Sequence, residues 1–205
     1  MNNPKISIIT PTYKSDLKMI KRCIDCVRLQ DLTSWEYIIC SDGVEEIGVK
    51  DLIQSLNDKR IQYYFTPIKT QTNDYGANVR YEMSTIARGK YMVLIDDDNI
   101  VLPNYLSSMY NVLENKDVKA DFVICDIVHF GPLNAKITGP APQIVKGVPV
   151  IPGNIDTLQV MFKAKVIKQI PWALNAGYIQ DGITFERWSK KFKYAKLDMV
   201  LGFHM

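Results

Sequence analysis

The sequence lacks a surplus of charge of either sign and lacks any long apolar run. Its 205 residues include 25 lysines and arginines and 22 aspartates and glutamates, so the net charge is only +3. Such a mixed surface offers no basic face for nucleic acid. No apolar stretch approaches the roughly 18 residues that cross a bilayer, and the N-terminal MNNPK lacks the apolar core of a secretory signal. We therefore expect a cytoplasmic protein with no transmembrane segment and no nucleic-acid partner.

Cysteine is scarce as well, with four residues in the chain: Cys23, Cys26, Cys40 and Cys125. The first two form a C-I-D-C motif, a spacing that in other proteins binds zinc or carries out redox chemistry. Here the motif falls midway along an amphipathic segment instead of at a helix N-terminus, and the second pair that a zinc site needs is missing. We expect four reduced structural thiols.

Short apolar strands alternate with amphipathic helices along most of the chain, and the composition, 47% hydrophobic and 23% charged, suits one globular domain over residues 1–205. The pattern predicts strands at 5–10, 35–40, 61–65, 91–95, 120–130 and 194–204, and helices at 15–30, 49–57, 77–87, 103–115 and 182–192. It also predicts a strand or helix at 159–170, and loops with irregular strand pieces along one edge of the sheet at 131–153. This alternation indicates an α/β fold with a mainly parallel sheet and helices on both faces. Such sheets bind ligands at the carboxyl ends of their strands.

Three consecutive carboxylates, Asp96, Asp97 and Asp98, follow the apolar run 91–95. If the strand continues through them, Asp96 and Asp98 point to the same face. Two converging carboxylates repel each other unless one is protonated or a cation lies between them, and Mg²⁺ and Mn²⁺ prefer oxygen ligands. The alternative is a turn, in which Asp and Asn are common.

Two other predicted strands end in polar groups that we expect at the same crevice. The first ends in Thr10-Pro11-Thr12-Tyr13 and the second in Ser41-Asp42-Gly43. A tyrosine can stack on a nucleobase and an aspartate can accept a hydrogen bond from its ring N–H. The alternatives are a strand stopped by proline and a type I turn.

Five segments, in this order, together resemble an inverting family 2 glycosyltransferase: ISIITPTY, WEYIICSDG, G-A-N-V-R before R-G-K-Y, IDDDN, and Y-I-Q-D-G. The resemblance implies the GT-A fold, of the nucleotide-diphospho-sugar transferase type, with a nucleotide-binding half at 1–102 and an acceptor-side half at 103–205. It also implies transfer of a sugar from a nucleotide-sugar donor, with a UDP-sugar favoured, to a saccharide or lipid-linked saccharide acceptor. Peripheral membrane association is compatible with it.

The resemblance also implies roles for individual residues on the donor side. The positions that match the nucleotide and donor pocket are Pro11, Thr12, Tyr13, Asp42, Arg80, Asp96 and Asp97. Asp98 matches the ligand of a divalent cation, Mn²⁺ or Mg²⁺, and His204 matches a histidine that in some relatives approaches the metal. Many relatives have a further aspartate where this chain has Asn99, so Asp98 carries more of the site. For Arg80 the alternative is a solvated helix residue, and for His204 an incidental position.

On the acceptor side, Asp181 matches the general base that inversion requires across the sugar from the departing diphosphate. The alternative role for Asp181 is a helix N-cap, which is compatible with catalysis. Relatives often have a second acid where this chain has Gln180, so we expect Asp181 to be a more ordinary carboxylate. Asp156 matches an acceptor-side acid, or caps the segment that follows it.

Aromatic residues flank the predicted base. Trp172, Tyr178 and Trp188 would form either a sugar-stacking wall or part of the core. His129 lies in a strand pattern and is expected to be packed.

Two other functions stay open. One is a catalytically silent sugar-nucleotide-binding or assembly module. The other is a sugar-phosphate nucleotidyltransferase, which would need a glycine-rich loop where this chain has Pro11-Thr12-Tyr13. A dinucleotide oxidoreductase is excluded because the chain lacks G-x-G-x-x-G.

Overall fold

The computed structural model describes residues 3–69, 74–131 and 142–205. The strands are β1 (Ile6–Thr12), β2 (Trp35–Ser41), β3 (Ile61–Phe65), β4 (Tyr91–Leu94), β5 (Ile100–Val101), β6 (Phe122–His129), β7 (Gln143–Val145), β8 (Val160–Lys163) and β9 (Tyr194–His204). The helices are α1 (Leu17–Arg28), α2 (Ile47–Ser55), α3 (Ala77–Ile86), α4 (Tyr105–Glu114), α5 (Ala164–Gln169) and α6 (Gln180–Lys191), with 3₁₀ turns at Thr157–Gln159 and Gly177–Ile179.

One sheet joins these strands in the order β3-β2-β1-β4-β8-β6-β9-β5, with β7 alongside β6. The four strands β3, β2, β1 and β4 are parallel to one another, so their carboxyl ends lie at one edge. Strand β8 runs antiparallel to both β4 and β6, whereas β6 and β9 are again parallel. The predicted α/β class is confirmed.

Helices cover both faces of the sheet, as the alternation predicted. Buried side chains of α1, α2 and α4 pack on one face, and those of α3, α5 and α6 pack on the other. In α1 the buried residues Ile20, Ile24 and Val27 recur at helical spacing, which gives the helix one apolar side. Asp16 is its N-cap, and its side chain accepts a hydrogen bond from the Lys18 N–H at 2.7 Å.

Strand β1 runs two residues past its predicted end at Thr10. Pro11 pairs in register with Cys40 of β2, while the pairing of β1 with β4 ends at Ile9. The carbonyl of Thr12 accepts from the Asp42 N–H and therefore faces β2, so the backbone nitrogen of Pro11 faces the other side. Because β4 has already ended there, the missing N–H of proline costs no ladder hydrogen bond.

Strand β4 ends at Leu94, before the three acids. The turn that follows is closed by a hydrogen bond of 3.1 Å from the Asn99 N–H to the Asp96 carbonyl. The expectation that a continuing strand directs Asp96 and Asp98 to one face is therefore wrong, because the chain has already turned. The backbone of the three acids instead forms the turn that the sequence offered as the alternative.

All four cysteines are free thiols. Cys23, Cys40 and Cys125 are buried, and burial raises the pKa of each thiol to about 12. The thiols are therefore protonated at neutral pH, which suits the structural role expected from the sequence.

Candidate active site

A cavity of about 620 Å³ opens at the carboxyl ends of the parallel strands. Among its lining residues are all those that the sequence predicted for the site: Pro11, Thr12, Tyr13, Asp42, Arg80, Asp96, Asp97, Asp98, Asp156, Asp181 and His204. The structure therefore brings both halves of the chain to one cavity. The individual roles of these residues stay predictions.

The ends of β1 and β2 are joined by side-chain hydrogen bonds beneath the cavity. The Thr12 hydroxyl lies 2.8 Å from the Ser41 hydroxyl and donates to Glu46 at 2.8 Å. Thr12 is almost fully buried, so its hydroxyl serves to hold the two strand ends in register. Asp42 follows Ser41 at the wall of the cavity, where its backbone N–H donates to the Thr12 carbonyl.

Tyr13 is the aromatic side chain at the donor-side wall, and its ring is 42% exposed. The ammonium of Lys69 lies 3.5 Å from the ring centroid, within cation–π distance. The hydrogen bond with Lys69 lowers the pKa of Tyr13. Lys69 also lies against Gly43, whose φ of +73° and close approach to the lysine backbone both require a glycine. Sequence reasoning did not identify Lys69.

Each of the three consecutive acids has a different environment. Asp96 forms an ion pair with Arg80, and Asp97 accepts a hydrogen bond from the Ser15 hydroxyl. The Asp98 carboxylate has no side-chain hydrogen bond or ion pair with another described residue, and the Arg22 side chain contacts only its backbone carbonyl. Asp98 is therefore the acid of the three that is most available to a cation.

Burial and mutual repulsion disfavour the charged forms of two of these acids. Burial raises the pKa of Asp97 to about 6, and the neighbouring charges of Asp96 and Asp98 contribute to this rise. Burial also raises the pKa of Asp98, together with the charge of Asp96. A bound cation would reverse these shifts, since it favours the charged carboxylates.

Arg80 is buried in the wall of the cavity, at 5% exposure. Its guanidinium donates to the Asp96 carboxylate and to the Tyr75 carbonyl. The alternative of a solvated helix arginine is therefore wrong, because α3 directs this side chain inward. Nearby, Gly76 has a φ of +77°, and a Cβ there would lie 2.8 Å from Pro11, so only glycine fits between the two elements.

Asp156 and His204 form an ion pair on the far wall, with Asp156 Oδ2 3.0 Å from His204 Nδ1. Burial would lower the pKa of His204, but the hydrogen bond and charge of Asp156 raise it to about 9. The same contact holds the pKa of Asp156 below its usual value against the effect of burial. Asp156 also caps the 3₁₀ turn through the Leu158 N–H, so the capping alternative is correct for this residue. His129 stacks on His204 with ring centroids 4.2 Å apart.

Asp181 lies in the first turn of α6 and accepts a hydrogen bond of 2.7 Å from the Gly182 N–H. It is not the N-cap, because the helix begins one residue earlier and its cap position is Ile179. Burial, followed by the charge of Asp156, raises the pKa of Asp181 to about 7. The expectation that Gln180 leaves an ordinary carboxylate is therefore wrong, since burial perturbs Asp181 without an acidic neighbour in sequence.

The aromatic residues near the base divide between core and cavity. Trp172 and Trp188 are buried in the core, packed with Phe185, so they form no sugar-stacking wall. Tyr178 is 55% exposed at the cavity and meets Tyr75 edge to face at 5.7 Å. Periodicity could not separate these outcomes, because aromatic residues suit both environments.

The chemistry of the lining residues bears on whether a divalent cation fits here. The described residues contain no group of three or more His, Cys, Asp or Glu side chains that could hold a metal ion. Magnesium sites that also bind substrate phosphates, however, use only one or two protein carboxylates and complete their shells with phosphate oxygens and water. Asp98 matches such a partial ligand set. His204, whose Nδ1 contacts Asp156, would add its Nε2 atom only when a bound cation displaces the proton that its pKa of about 9 keeps on the ring.

A model of the family described as glycosyl transferase family 2 matches residues 7–159. The chain belongs to this family. The matched range covers β1 to the 3₁₀ turn at Thr157–Gln159, and with it every predicted site residue except Asp181 and His204.

Curated relatives resemble the chain over about half its length. WcaA of Escherichia coli (strain K12) is 38% identical over 109 residues, which are 52% of this chain and 37% of WcaA. The glycosyltransferase GlyG of Streptococcus pneumoniae is 28% identical over 121 residues, which are 58% of this chain and 38% of GlyG. The chain thus matches less than half the length of each of these relatives.

Solved structures share the fold at low identity. TarS 1-349 of S. aureus superposes with a TM-score of 0.76 at 13% identity, over 98% of this chain and 60% of TarS 1-349. The mannosyltransferase PcManGT of Pyrobaculum calidifontis, crystallised with GDP-Man and Mn²⁺, gives a TM-score of 0.72 at 12% identity, over 99% of this chain and 57% of PcManGT. The predicted GT-A fold is confirmed. In the part of the chain that the structure describes, no helix has the length and apolarity to cross a bilayer.

Proposed function

We propose that the protein transfers a sugar from a nucleotide-sugar donor to an acceptor hydroxyl with inversion, with Asp181 as the general base. The observation that carries this proposal is the single cavity that contains both the strand-end residues and Asp181. Residues 1–102 supply the nucleotide side and 103–205 the acceptor side. The acceptor is a saccharide or a lipid-linked saccharide. The reaction takes place in the cytoplasm, and peripheral association of the protein with a membrane surface is compatible with this function.

The nucleotide occupies the wall formed by the ends of β1 and β2. Tyr13 presents an exposed ring for stacking, and Asp42 offers a carboxylate to a base N–H. We favour a UDP-sugar, and the structural similarity to TarS 1-349, crystallised with UDP-GlcNAc, supports this choice.

The chemical step is a displacement at the anomeric carbon. As the acceptor oxygen forms its bond to that carbon, its proton passes to the Asp181 carboxylate. The bond from the anomeric carbon to the phosphate oxygen breaks, and its electron pair leaves with the nucleoside diphosphate. A base with a pKa of about 7 is well matched to this proton transfer, because a large fraction is ionised at neutral pH while basicity stays high.

Asp98 and His204 would hold Mn²⁺ or Mg²⁺ together with the donor diphosphate. When bound, the ion would neutralise the charge that develops on the leaving diphosphate. Arg80 forms an ion pair with Asp96 on the donor side, and this pair balances the negative charge of one acid of the turn. The similarity to PcManGT, crystallised with Mn²⁺, supports use of a divalent cation.

A thermal-shift panel tests the proposal. The protein is heated with UDP, GDP, CDP or dTDP, each with and without MnCl₂, because a ligand that binds the native state raises Tm. We expect the largest shift with UDP and Mn²⁺ together, followed by release of UDP from UDP-GlcNAc in a turnover assay. A shift without turnover would favour a silent binding module, and the absence of any metal-dependent shift would refute the proposal.

A further inference from the structure

Gln180 is a buried polar residue between the predicted base and the rest of the cavity wall. It is 3% exposed, it begins α6, and it directly precedes Asp181. Its side-chain amide donates to the Asp74 carbonyl at 2.7 Å and to the Tyr75 carbonyl at 3.3 Å. One side chain thus connects α6 to a segment more than 100 residues earlier in the chain.

The segment that Gln180 contacts is itself tightly held. Tyr75 has a φ of +48° and Gly76 a φ of +77°, so two consecutive residues adopt the left-handed conformation before α3 begins. The Asp74 carbonyl also accepts from the Ala77 N–H at 3.0 Å, and the Asp74 carboxylate accepts from both nitrogens of Asn78. A rigid segment of this kind can transmit the position of one element to another.

The connection continues to the acidic turn, which is the turn after β4 that contains residues 96–98. The Tyr75 carbonyl that accepts from Gln180 also accepts from Arg80, and Arg80 forms the ion pair with Asp96. A continuous path of hydrogen bonds therefore leads from the start of the base-bearing helix to the donor side of the cavity.

Direct contact of Gln180 with a substrate does not fit its environment. Both hydrogen bonds of its amide nitrogen are made to the backbone, and its amide oxygen is buried with no hydrogen-bond partner among the described residues. Gln180 is among the residues that line the cavity, but its amide oxygen has no accessible surface and its amide nitrogen is held by two carbonyls, so we expect its effect to pass through its neighbours.

We propose that Gln180 is a positioning residue that fixes Asp181 relative to the donor-side wall, and that its uncharged amide avoids a second negative charge beside the base. The inference rests on the proposed function of Asp181. An acid at position 180 would face two carbonyl oxygens and would add a second negative charge beside the base.

Three charged groups and one uncharged titratable group, from four elements, already face Asp181. Asp156 at the 3₁₀ turn and Asp96 at the acidic turn oppose its ionisation, whereas Arg80 on α3 favours it. Burial, followed by the charges of Asp156 and Asp181, raises the pKa of the Tyr178 hydroxyl, which is therefore uncharged at neutral pH. A carboxyl at position 180 would join the two opposing groups, and adjacent carboxyls do not easily ionise together.

The test compares Q180M, Q180E and a matched control. Methionine keeps the length of glutamine and removes its hydrogen bonds, whereas glutamate keeps the shape and adds a charge. The control is Q30M, because Gln30 is another buried glutamine that donates to two backbone carbonyls, those of Cys26 and Leu102, away from the cavity. Its amide oxygen also accepts from the Leu106 N–H, so Q30M loses one hydrogen bond more than Q180M. A purely structural effect of losing a buried amide appears in Q30M and Q180M alike, as a lower Tm.

Turnover is measured as UDP released from UDP-GlcNAc with MnCl₂, over a range of pH. We expect Q180M to lower kcat by about tenfold or more with KM for the donor within about twofold, because misplacing a reacting group costs rate more than binding. In Q180E the acid limb of the profile should move at least about one pH unit higher. Q30M should keep the wild-type rate per folded protein.

A readout without turnover separates this inference from the proposed function. The pKa of Asp181 is followed by NMR of carboxyl-labelled aspartate, with D181N to assign the signal. Q180E should raise this pKa, whereas Q180M, which adds no charge, should leave it near the wild-type value. If Q180E titrates like the wild type, or if Q180M keeps the wild-type kcat, the inference is overturned. If Asp181 of the wild type titrates as expected but the protein releases no UDP, the proposed function fails. The titration of the variants still decides the inference about Gln180 in that case.

Discussion

At the amino ends of β1 and β2, the buried carboxylate of Glu36 accepts hydrogen bonds from the Ser7 hydroxyl at 2.6 Å and from the Arg88 backbone and side chain at 2.7 Å. Burial alone would raise the pKa of Glu36, but these donors hold it below its usual value. In the cavity at the carboxyl edge of the same sheet, Asp97 after β4 and Asp181 on α6 have raised pKa values of about 6 and about 7. Asp156 lines the same cavity, but its hydrogen bond with His204 holds its pKa below the usual value. The contrast is therefore between Glu36, whose charged form is stabilised by several donors, and these two cavity acids, for which burial prevails.

The difference indicates which acids serve the fold and which serve a site. A carboxylate whose charged form is fully hydrogen-bonded stabilises the folded state, whereas one that is buried without such compensation destabilises it when ionised. Uncompensated acids collected in a cavity are typical of functional sites.

The largest effect is expected for D181N. Asparagine keeps the shape of the side chain but cannot accept the acceptor proton, so turnover should fall by about 10²–10⁴-fold. Because the buried charge is removed, Tm should stay the same or rise. Turnover and a thermal melt of the same preparation check both parts, and an active D181N would exclude Asp181 as the base.

For E36Q we expect the reverse pattern. Losing the charge-assisted hydrogen bonds at the amino end should cost about 1–3 kcal/mol of stability, or about 2–4 °C of Tm for each kcal/mol. The lowered pKa of Glu36 means that its contribution is present at neutral pH and is lost as the pH falls through its folded-state pKa. Denaturant unfolding measures the loss. A decrease in turnover per folded molecule would contradict the proposed separation of roles.

A pH profile of turnover tests the raised pKa of Asp181. The base must be ionised to accept a proton, so activity should be full above a pH of about 7 and should fall about tenfold for each pH unit below it. A limb near pH 4 would mean that Asp181 is an ordinary carboxylate.

The smallest effect is expected for H129F. His129 stacks on His204, and a phenyl ring preserves most of a stacking contact, which is worth about 0.5–1.5 kcal/mol, so turnover should change by no more than about threefold. Turnover at saturating donor measures this. A larger loss would show that the His129 imidazole itself contacts the substrate.

The sequence predicted most of the parallel half of the fold and the location of the site, because hydrophobic periodicity and polar strand ends are local signals. It did not predict that β4 stops at Leu94, since that depends on where the pairing with β1 ends. Lys69 and the contact of Gln180 with Tyr75 were also missed. Both depend on long-range approach of the backbone, and a glycine such as Gly76 is the local signal that could have suggested them.

The direction of the pKa shift of Asp181 could not be predicted from the sequence either. Its neighbour Gln180 suggested an ordinary carboxylate, because adjacent residues are all that a sequence shows. The pKa is instead set by burial and by Asp156, which lies 25 positions earlier and meets Asp181 across the cavity. Charges brought together by tertiary structure cannot be read from spacing along the chain.

In the proposed mechanism the two walls of the cavity have separate roles. Asp98 binds the donor and the metal, and Asp181 accepts the proton. Calorimetric titration of UDP in the presence of Mn²⁺ into wild type, D98A and D181N tests this claim most directly. We predict that D98A loses the Mn²⁺-dependent part of UDP binding, whereas D181N binds UDP like the wild type. Equal binding by D98A and wild type, or loss of binding in D181N, would contradict the claim.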